Sequence, residues 1–390
     1  MLDQAKINTG NESLKKAALS HAALGKAAAH RTLVDPSRSS SLSDKHLLDV
    51  KNLSVNFTVH GGQVMAVRNV SFHVMPGETL CIVGESGCGK SVTMQAVMGI
   101  LPMPPARILQ GEAWFRGTGG DKRSEKQDLL ALSKKERRKI LGREIAMIFQ
   151  DPLASLNPTM TVQDQIEETL KLHTDMNGTA RRTRVLELLD LVRIPEPQTR
   201  LRQFPHELSG GMRQRVMIAM ALACNPKIVI ADEPTTALDV TIQAQILNLI
   251  KDLSKRLNMA TILITHDLGV VARMADRVLV MYAGKVVEEG TVDEIFTHPK
   301  HPYTVGLRQA IPPEAGEERR ALRSIIGTPP DLFAPPPGCA FAARCEHAMV
   351  VCHKMPPPEV RKGSSHVACW LHADAAAAIA QREKAGIFPM

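Results

Sequence analysis

An apolar run, Leu80-Cys-Ile-Val83, is followed by Gly84-Glu85-Ser86-Gly87-Cys88-Gly89-Lys90-Ser91 and then by residues with helical spacing. Glycines at that spacing let successive backbone N–H groups turn inward around phosphate oxygens, and the helix that follows presents its positive end to them. Lys90 can reach the β and γ phosphates, and the Ser91 hydroxyl can ligate Mg²⁺. Cys88 reads as a spacer in this loop, not as a nucleophile. A second element is Ile228-Val-Ile-Ala-Asp232-Glu233, where four apolar residues bury a strand and two carboxylates emerge at its end. Asp232 there would hold the Mg²⁺ shell and Glu233 would polarise an attacking water. Taken alone, an acidic pair after a strand is also a helix cap. A third is Leu208-Ser209-Gly210-Gly211-Met-Arg-Gln214, a helix start that offers an anion a hydroxyl, bare N–H groups and the dipole. A plain N-cap explains Ser209 but not the two glycines, each of which lowers helix stability by about 1 kcal/mol relative to Ala inside a helix.

The elements that must carry these residues are legible from periodicity. Residues 47 to 83 alternate as three strands broken at Gly61-Gly62 and Pro76-Gly77. A helix from Lys90 should stop near Gly99, because Leu101-Pro-Met-Pro-Pro cannot continue it. Ser133-Lys-Lys-Glu136 is a capping-box helix start, and Ile145 to Gln150 reads as a buried strand. A helical stretch runs to about Pro226, then the strand ending at Asp232. Asp239 next caps a long helix with Ile242, Ile246, Leu249, Ile250, Leu253 and Leu257 on one face. Ala260 to Thr265 and Arg277 to Tyr282 are further strands. Strands alternating with helices predict a mainly parallel sheet covered on both faces. Residues 1 to 46 read as an extension with one short helix around Asn11 to Arg31, and the Pro-rich chain beyond about Gly290 reads as a separate, loop-rich tail.

At 390 residues with 44% hydrophobic and 23% charged residues, the composition is globular. No apolar run approaches the ~18 residues that span a bilayer, and the start lacks a signal-peptide pattern, so the chain is expected in the cytosol. The net charge of +8 sits largely in one polar window, Arg116 to Arg143. Aromatics are only 3%, which offers few stacking platforms for nucleic acid, and no nucleic-acid partner is expected. Four of the seven cysteines, Cys339, Cys345, Cys352 and Cys369, crowd the tail with spacing C-x5-C-x6-C-x16-C. In a reducing compartment this suggests a metal site before disulfides, and the spacing leaves zinc and iron–sulfur open.

The set Gly84 to Ser91, Gln150, Leu208 to Gln214, Ile228 to Glu233, Ala237-Leu-Asp239 and His266 resembles the nucleotide-binding subunit of an ATP-binding-cassette (ABC) transporter over about residues 47 to 290. The resemblance implies an α/β P-loop NTPase fold with a RecA-like core, an antiparallel β-subdomain and a helical subdomain at about 151 to 226. It implies two cassettes facing head to tail, with ATP between the phosphate loop of one and the LSGG helix of the other. On that basis the loop's Gly84, Glu85, Ser86, Gly87, Cys88, Gly89, Lys90, Ser91 and Val92 would bind ATP, Gln150 would contact Mg²⁺ and the attacking water, and His266 would contact the γ-phosphate. Ser209, Gly210, Gly211 and Gln214 would meet the partner's ATP, Asp239 would bridge the dimer, and Phe57 would stack on adenine. Many members place a Thr directly after the loop's Ser; here Val92 stands there and Thr93 follows, which puts the hydroxyl contact to the α-phosphate in doubt.

DLLALSKKERRKILGREIAMIFQDPLASLNP, DEPTTALDVTIQAQIL and THPKHPYTVGL, with the four-cysteine tail, are similar to the ATP-binding subunits of dipeptide and oligopeptide importers, a group that includes nickel and some sugar importers. That resemblance implies a C-terminal domain at 291 to 372, a final tail at 373 to 390, and a [4Fe–4S] cluster on Cys339, Cys345, Cys352 and Cys369, with Zn²⁺ as the alternative. It implies a peripheral location on the cytoplasmic face of a bacterial membrane and two permease subunits as partners. A substrate-binding protein and a second ATP-binding subunit, a paralogue before a second copy, complete the expected assembly. The helical segment would dock a coupling helix of the permease. A soluble cassette ATPase of repair or translation would share every nucleotide motif, but the long heptad insertions of the former and the second cassette of the latter are absent. A cysteine substitution in the tail is expected to spare the phosphate site more than 100 residues upstream.

Overall fold

The computed structural model describes residues 45–117, 126–236, 238–311 and 324–373. The helix expected at Asn11 to Arg31 and the final tail at 373 to 390, apart from its first residue, lie outside them. The first strands are Leu48–Val59 (β1), Gly62–Val74 (β2), Thr79–Val83 (β3), Ala106–Arg116 (β4), Lys126–Asp128 (β5) and Ile145–Ile148 (β6). The later ones are Ile228–Asp232 (β7), Ala260–Thr265 (β8), Arg277–Tyr282 (β9), Lys285–Thr291 (β10), Glu359–Lys362 (β11) and Ser365–Ala368 (β12). They form a four-stranded sheet in the order β2-β1-β4-β5 and an eight-stranded sheet in the order β11-β12-β10-β9-β3-β8-β7-β6.

The small sheet is antiparallel throughout, and in the large one β9, β3, β8, β7 and β6 are parallel. Successive side chains of a strand point to opposite faces, so a strand covered on both sides reads as an unbroken apolar run. In β3, Cys81 and Val83 join one core cluster, which takes in the helices on that side. Leu80 and Ile82 join the other, shared with the small sheet. In β7 Val229 and Ala231 divide from Ile228 and Ile230 in the same way. The run expected to reach Gln150 as a strand ends at Ile148, and Phe149 and Gln150 are exposed.

Past Gly290 the chain is not a separate tail. β12 pairs antiparallel with β10, Glu288 opposite Val367, so the C-terminal segment completes the large sheet. The Glu288 carboxylate accepts the backbone N–H groups of Lys300 (2.7 Å) and His301 (2.9 Å), and Lys300 Nζ donates to Ser365 Oγ at 2.6 Å. Tyr303 and Phe341 are buried in the main core against Tyr282, with ring centroids 4.6 Å and 5.3 Å from it. Proline and turn residues hide this from periodicity, because the anchoring is by single aromatics and two four-residue strands.

Candidate functional site

The phosphate loop leaves β3 and enters the helix Lys90–Met98. Gly87 and Gly89 have φ of 77° and 96°, and a Cβ on Gly89 would collide with the Ala66 carbonyl oxygen, so glycine is required there. Lys90 is buried, and its ammonium donates to the carbonyls of Gly84 (2.7 Å) and Glu85 (3.0 Å). These bonds tie the charge to the loop it must serve. Val92 packs partly buried on the core, and the Thr93 hydroxyl donates to the Gly89 carbonyl at 2.8 Å, so it is spent within the helix. Burial pushes the Cys88 thiol above its ordinary pKa, which keeps it protonated, as a spacer would be.

Ser91 Oγ donates to Asp232 Oδ1 at 2.7 Å across 141 residues of sequence. Burial pushes the Asp232 carboxyl up, while that hydrogen bond opposes the rise. Glu233 follows in a left-handed conformation, φ 44°, its N–H bonded to the Ile264 carbonyl at the end of β8. Gln150 Nε2 (3.1 Å), Thr236 Oγ1 (3.0 Å) and His266 Nδ1 (3.1 Å) converge on its carboxylate. Partial burial would raise its pKa, but the hydrogen bonds from His266 and Thr236 outweigh this and hold it below the usual carboxylate range. Glu233 therefore stands ionised at neutral pH with its oxygens aimed by three donors. Thr236 is the member of this group that motif reading missed. Its position three residues after Glu233, in a turn, was the available signal.

Ser209 is the N-cap of the helix Gly210–Leu222, accepting the Met212 N–H at 3.3 Å. A Cβ on Gly211 would lie 2.9 Å from Ile242 Cγ2, so close packing against the helix Val240–Leu257 accounts for one glycine of the pair without any ligand. Gln214 is buried and its Nε2 has no partner among the described residues. Asp239 caps the helix Val240–Leu257 through the Ile242 N–H at 2.9 Å. Among the described residues no hydrogen bond joins the Ser209–Gln214 segment to the phosphate loop. Phe57 lies half-buried on β1 opposite Val64 and Ala106. Ala237 is outside the described residues.

Cys339, Cys345, Cys352 and Cys369 line one small enclosed cavity of about 10 Å³, together with His301, His347, Phe341 and Trp370. Burial pushes the thiols of Cys339 and Cys345 up, and that of Cys369 to about 11. Among the described residues no three His, Cys, Asp or Glu side chains stand close enough to hold a metal ion as they are. The donor set, four soft thiols with no carboxylate among them, suits a thiophilic metal centre. The cavity is no larger than a water needs, so admitting a multi-iron core would require the segment to open. No helix among the described residues is long and apolar enough to cross a membrane.

Residues 67–236 match the family model of the ABC transporter, and residues 287–352 that of the oligopeptide/dipeptide transporter C-terminal region. The oligopeptide transport ATP-binding protein OppD of Bacillus subtilis is 56% identical over 331 residues, 84% of this chain and 90% of that one. The dipeptide transport ATP-binding protein DppD of the same organism is 56% identical over 326 residues, 83% and 94% of the two chains. A solved ATP-binding cassette, captured as a dimer after hydrolysis with ADP and Pi, superposes with a TM-score of 0.55 at 30% identity, covering 63% of this chain and 98% of the other. The phosphate loop, the Ser91–Asp232 pair and the triply held Glu233 thus sit in a fold and a sequence context that agree, and the chain belongs to the ABC family, among the ATP-binding proteins of oligopeptide and dipeptide transport.

Proposed function

We propose that this chain is an ATP-hydrolysing subunit that energises import of di- or oligopeptides through a membrane permease. The observation that carries the reading is Glu233, ionised and held by Gln150, Thr236 and His266 one residue beyond the Ser91–Asp232 pair. The triphosphate would seat on the loop Gly84 to Gly89, whose Glu85 N–H is already taken by the Tyr303 hydroxyl, and on Lys90, whose ammonium exchanges the Gly84 and Glu85 carbonyls for phosphate oxygens. Ser91, Asp232 and Gln150 supply the hard oxygen donors that Mg²⁺ takes, and the ion when bound offsets the charge on the phosphate oxygens. Glu233 accepts the proton of the attacking water, with His266 placed to meet the γ-phosphate and Phe57 to cover adenine. Ser209, Gly210, Gly211, Gln214 and Asp239, which among the described residues have no hydrogen bond to the chain's own phosphate loop, are assigned to the ATP of a second, facing ATP-binding subunit, a paralogue before a second copy.

Transport of peptides is supported by the names and high identity of the relatives. Docking on two permease subunits is supported by an apolar groove of about 270 Å³ whose lining includes Ile100, Leu141, Met147, Phe149, Met217 and Met220. Ile100 and Phe149 are 39% and 41% exposed, and Phe149 adjoins Gln150, so a permease helix seated there would touch the chain neighbour of a residue that holds Glu233. The chain then lies on the cytoplasmic face of the membrane, and an external substrate-binding protein delivers peptides to the permease. We assign Cys339, Cys345, Cys352 and Cys369 to a [4Fe–4S] cluster, with Zn²⁺ as the alternative, on their donor chemistry, the segment opening to admit it. Purification of the tagged chain from detergent-solubilised membranes should bring down two permease subunits and a second ATP-binding subunit. In proteoliposomes, hydrolysis should rise when peptide and binding protein are added, and hydrolysis indifferent to peptide would refute the import reading.

A further inference from the structure

Two residues of the C-terminal segment grip the phosphate loop at Glu85. The Arg344 guanidinium spans the Glu85 carboxylate with both terminal nitrogens, Nη1 to Oε2 at 2.8 Å and Nη2 to Oε1 at 3.0 Å. The Tyr303 hydroxyl accepts the Glu85 backbone N–H at 2.9 Å. A two-point guanidinium–carboxylate contact fixes orientation as well as distance. The Arg344 side chain is only 6% exposed, and its remaining N–H groups donate to Tyr282 Oη (3.1 Å) and to the carbonyls of Ile325 (3.2 Å) and Ile326 (3.1 Å). Glu85 is also one of the two residues whose carbonyls hold the Lys90 ammonium. The segment therefore holds the loop at a residue that holds the phosphate-binding charge.

Each gripping residue adjoins the four-cysteine cavity. Arg344 directly precedes Cys345, and Tyr303 stands two residues after His301; Cys345 and His301 both line that cavity. His301 is fully buried, its Nδ1 accepts the Tyr303 N–H at 3.1 Å, and its Nε2 has no partner among the described residues. Phe341, another cavity residue, packs 5.4 Å from the Tyr303 ring and 5.9 Å from the Arg344 guanidinium carbon. A displacement at the thiols thus has a short covalent and packed route to both contacts on Glu85. There is an electrostatic consequence as well. While Arg344 neutralises Glu85, the loop presents no bare carboxylate to a polyphosphate; once it is withdrawn, the loop repels its ligand.

We propose that Arg344 and Tyr303 are positioning residues of the ATP site, through which the state of the four cysteines sets how tightly the chain holds ATP. The inference rests on reading Gly84 to Ser91 as that site. The test is titration calorimetry of Mg·ATP on the full-length chain, with thermal unfolding measured alongside. Arg344→Gln should weaken binding about tenfold, within the usual range of coupling between sites. Adding Glu85→Gln should restore most of the loss by removing the bare charge, a rescue that a merely structural role for Arg344 does not give. Tyr303→Phe, which leaves the Glu85 N–H unpaired, should weaken binding in the same direction. Cys345→Ser should weaken it in the wild-type background and add little in the Arg344→Gln background. Arg344→Lys keeps the charge and loses the fork; it replaces Arg344→Gln if the latter does not fold, with a smaller loss expected. Wild-type affinity in the Arg344 and Tyr303 variants, or full additivity of Cys345→Ser with Arg344→Gln, would overturn the proposal. Lys90→Ala separates the two levels. If it binds ATP normally, the site reading itself fails; if it abolishes binding while Arg344→Gln does not weaken it, only the coupling fails.

Discussion

Glu233 sits at φ 44° at the end of β7, a conformation that costs a residue with a Cβ about 1 kcal/mol or more. The surrounding structure over-determines it, through the backbone bond to Ile264 and the three side chains on its carboxylate. The hydrogen bonds from His266 and Thr236 that help aim the Glu233 carboxylate also keep it ionised. The four cysteines pose the other question at this scale. Burial pushes the thiols of Cys339, Cys345 and Cys369 up as free groups, and all four thiols would have to ionise on ligation, which a bound metal centre would favour. Protein purified anaerobically should be brown with broad absorbance near about 400 nm, and each single Cys→Ser variant should lose it. A colourless preparation with one zinc per chain would end the iron–sulfur assignment.

Among the elements, the helix Gly210–Leu222 tests the division of labour between two chains. Gly211 packs against Ile242, so any side chain there disturbs the contact with the helix Val240–Leu257. Gly211→Ala measures that disturbance alone, and Gly211→Asp adds a negative charge where the facing subunit's γ-phosphate is assigned. Gly211→Asp should abolish nucleotide-driven dimerisation, measured by size-exclusion chromatography, and leave ATP affinity of the isolated chain close to that of Gly211→Ala. Collapse of that affinity would contradict the assignment to a partner's ATP. The strands and helices that carry the site were legible because each is a contiguous pattern: β3 and β7 as buried apolar runs, Asp239 as a cap, Gly84 to Ser91 as one loop. The Arg344–Glu85 pair was not, since 259 residues separate its members and no local pattern links them. Because Arg344 holds Glu85, a cysteine substitution beside it is not expected to spare the phosphate site, contrary to what the separation in sequence suggests.

At the scale of the molecule, β10 and β12 make the C-terminal segment part of the sheet from whose β7 Asp232 and Glu233 emerge, and Tyr282, Tyr303 and Phe341 weld it to the core. The phosphate loop leaves β3, the apolar groove takes in Ile145, Ala146 and Met147 of β6 with Gln150 next to its Phe149, and Arg344 stands next to Cys345 of the cysteine cavity. Such an arrangement turns ATP binding and hydrolysis into a mechanical cycle only if Glu233 is the base. The direct measurement is ATP turnover by the Glu233→Gln chain in the complete transporter, with ATP binding followed in the same preparation. Turnover should fall by roughly 10²–10⁴-fold, the usual contribution of a positioned base, while ATP stays bound and the subunits stay closed. Turnover near that of the wild-type transporter would contradict the account.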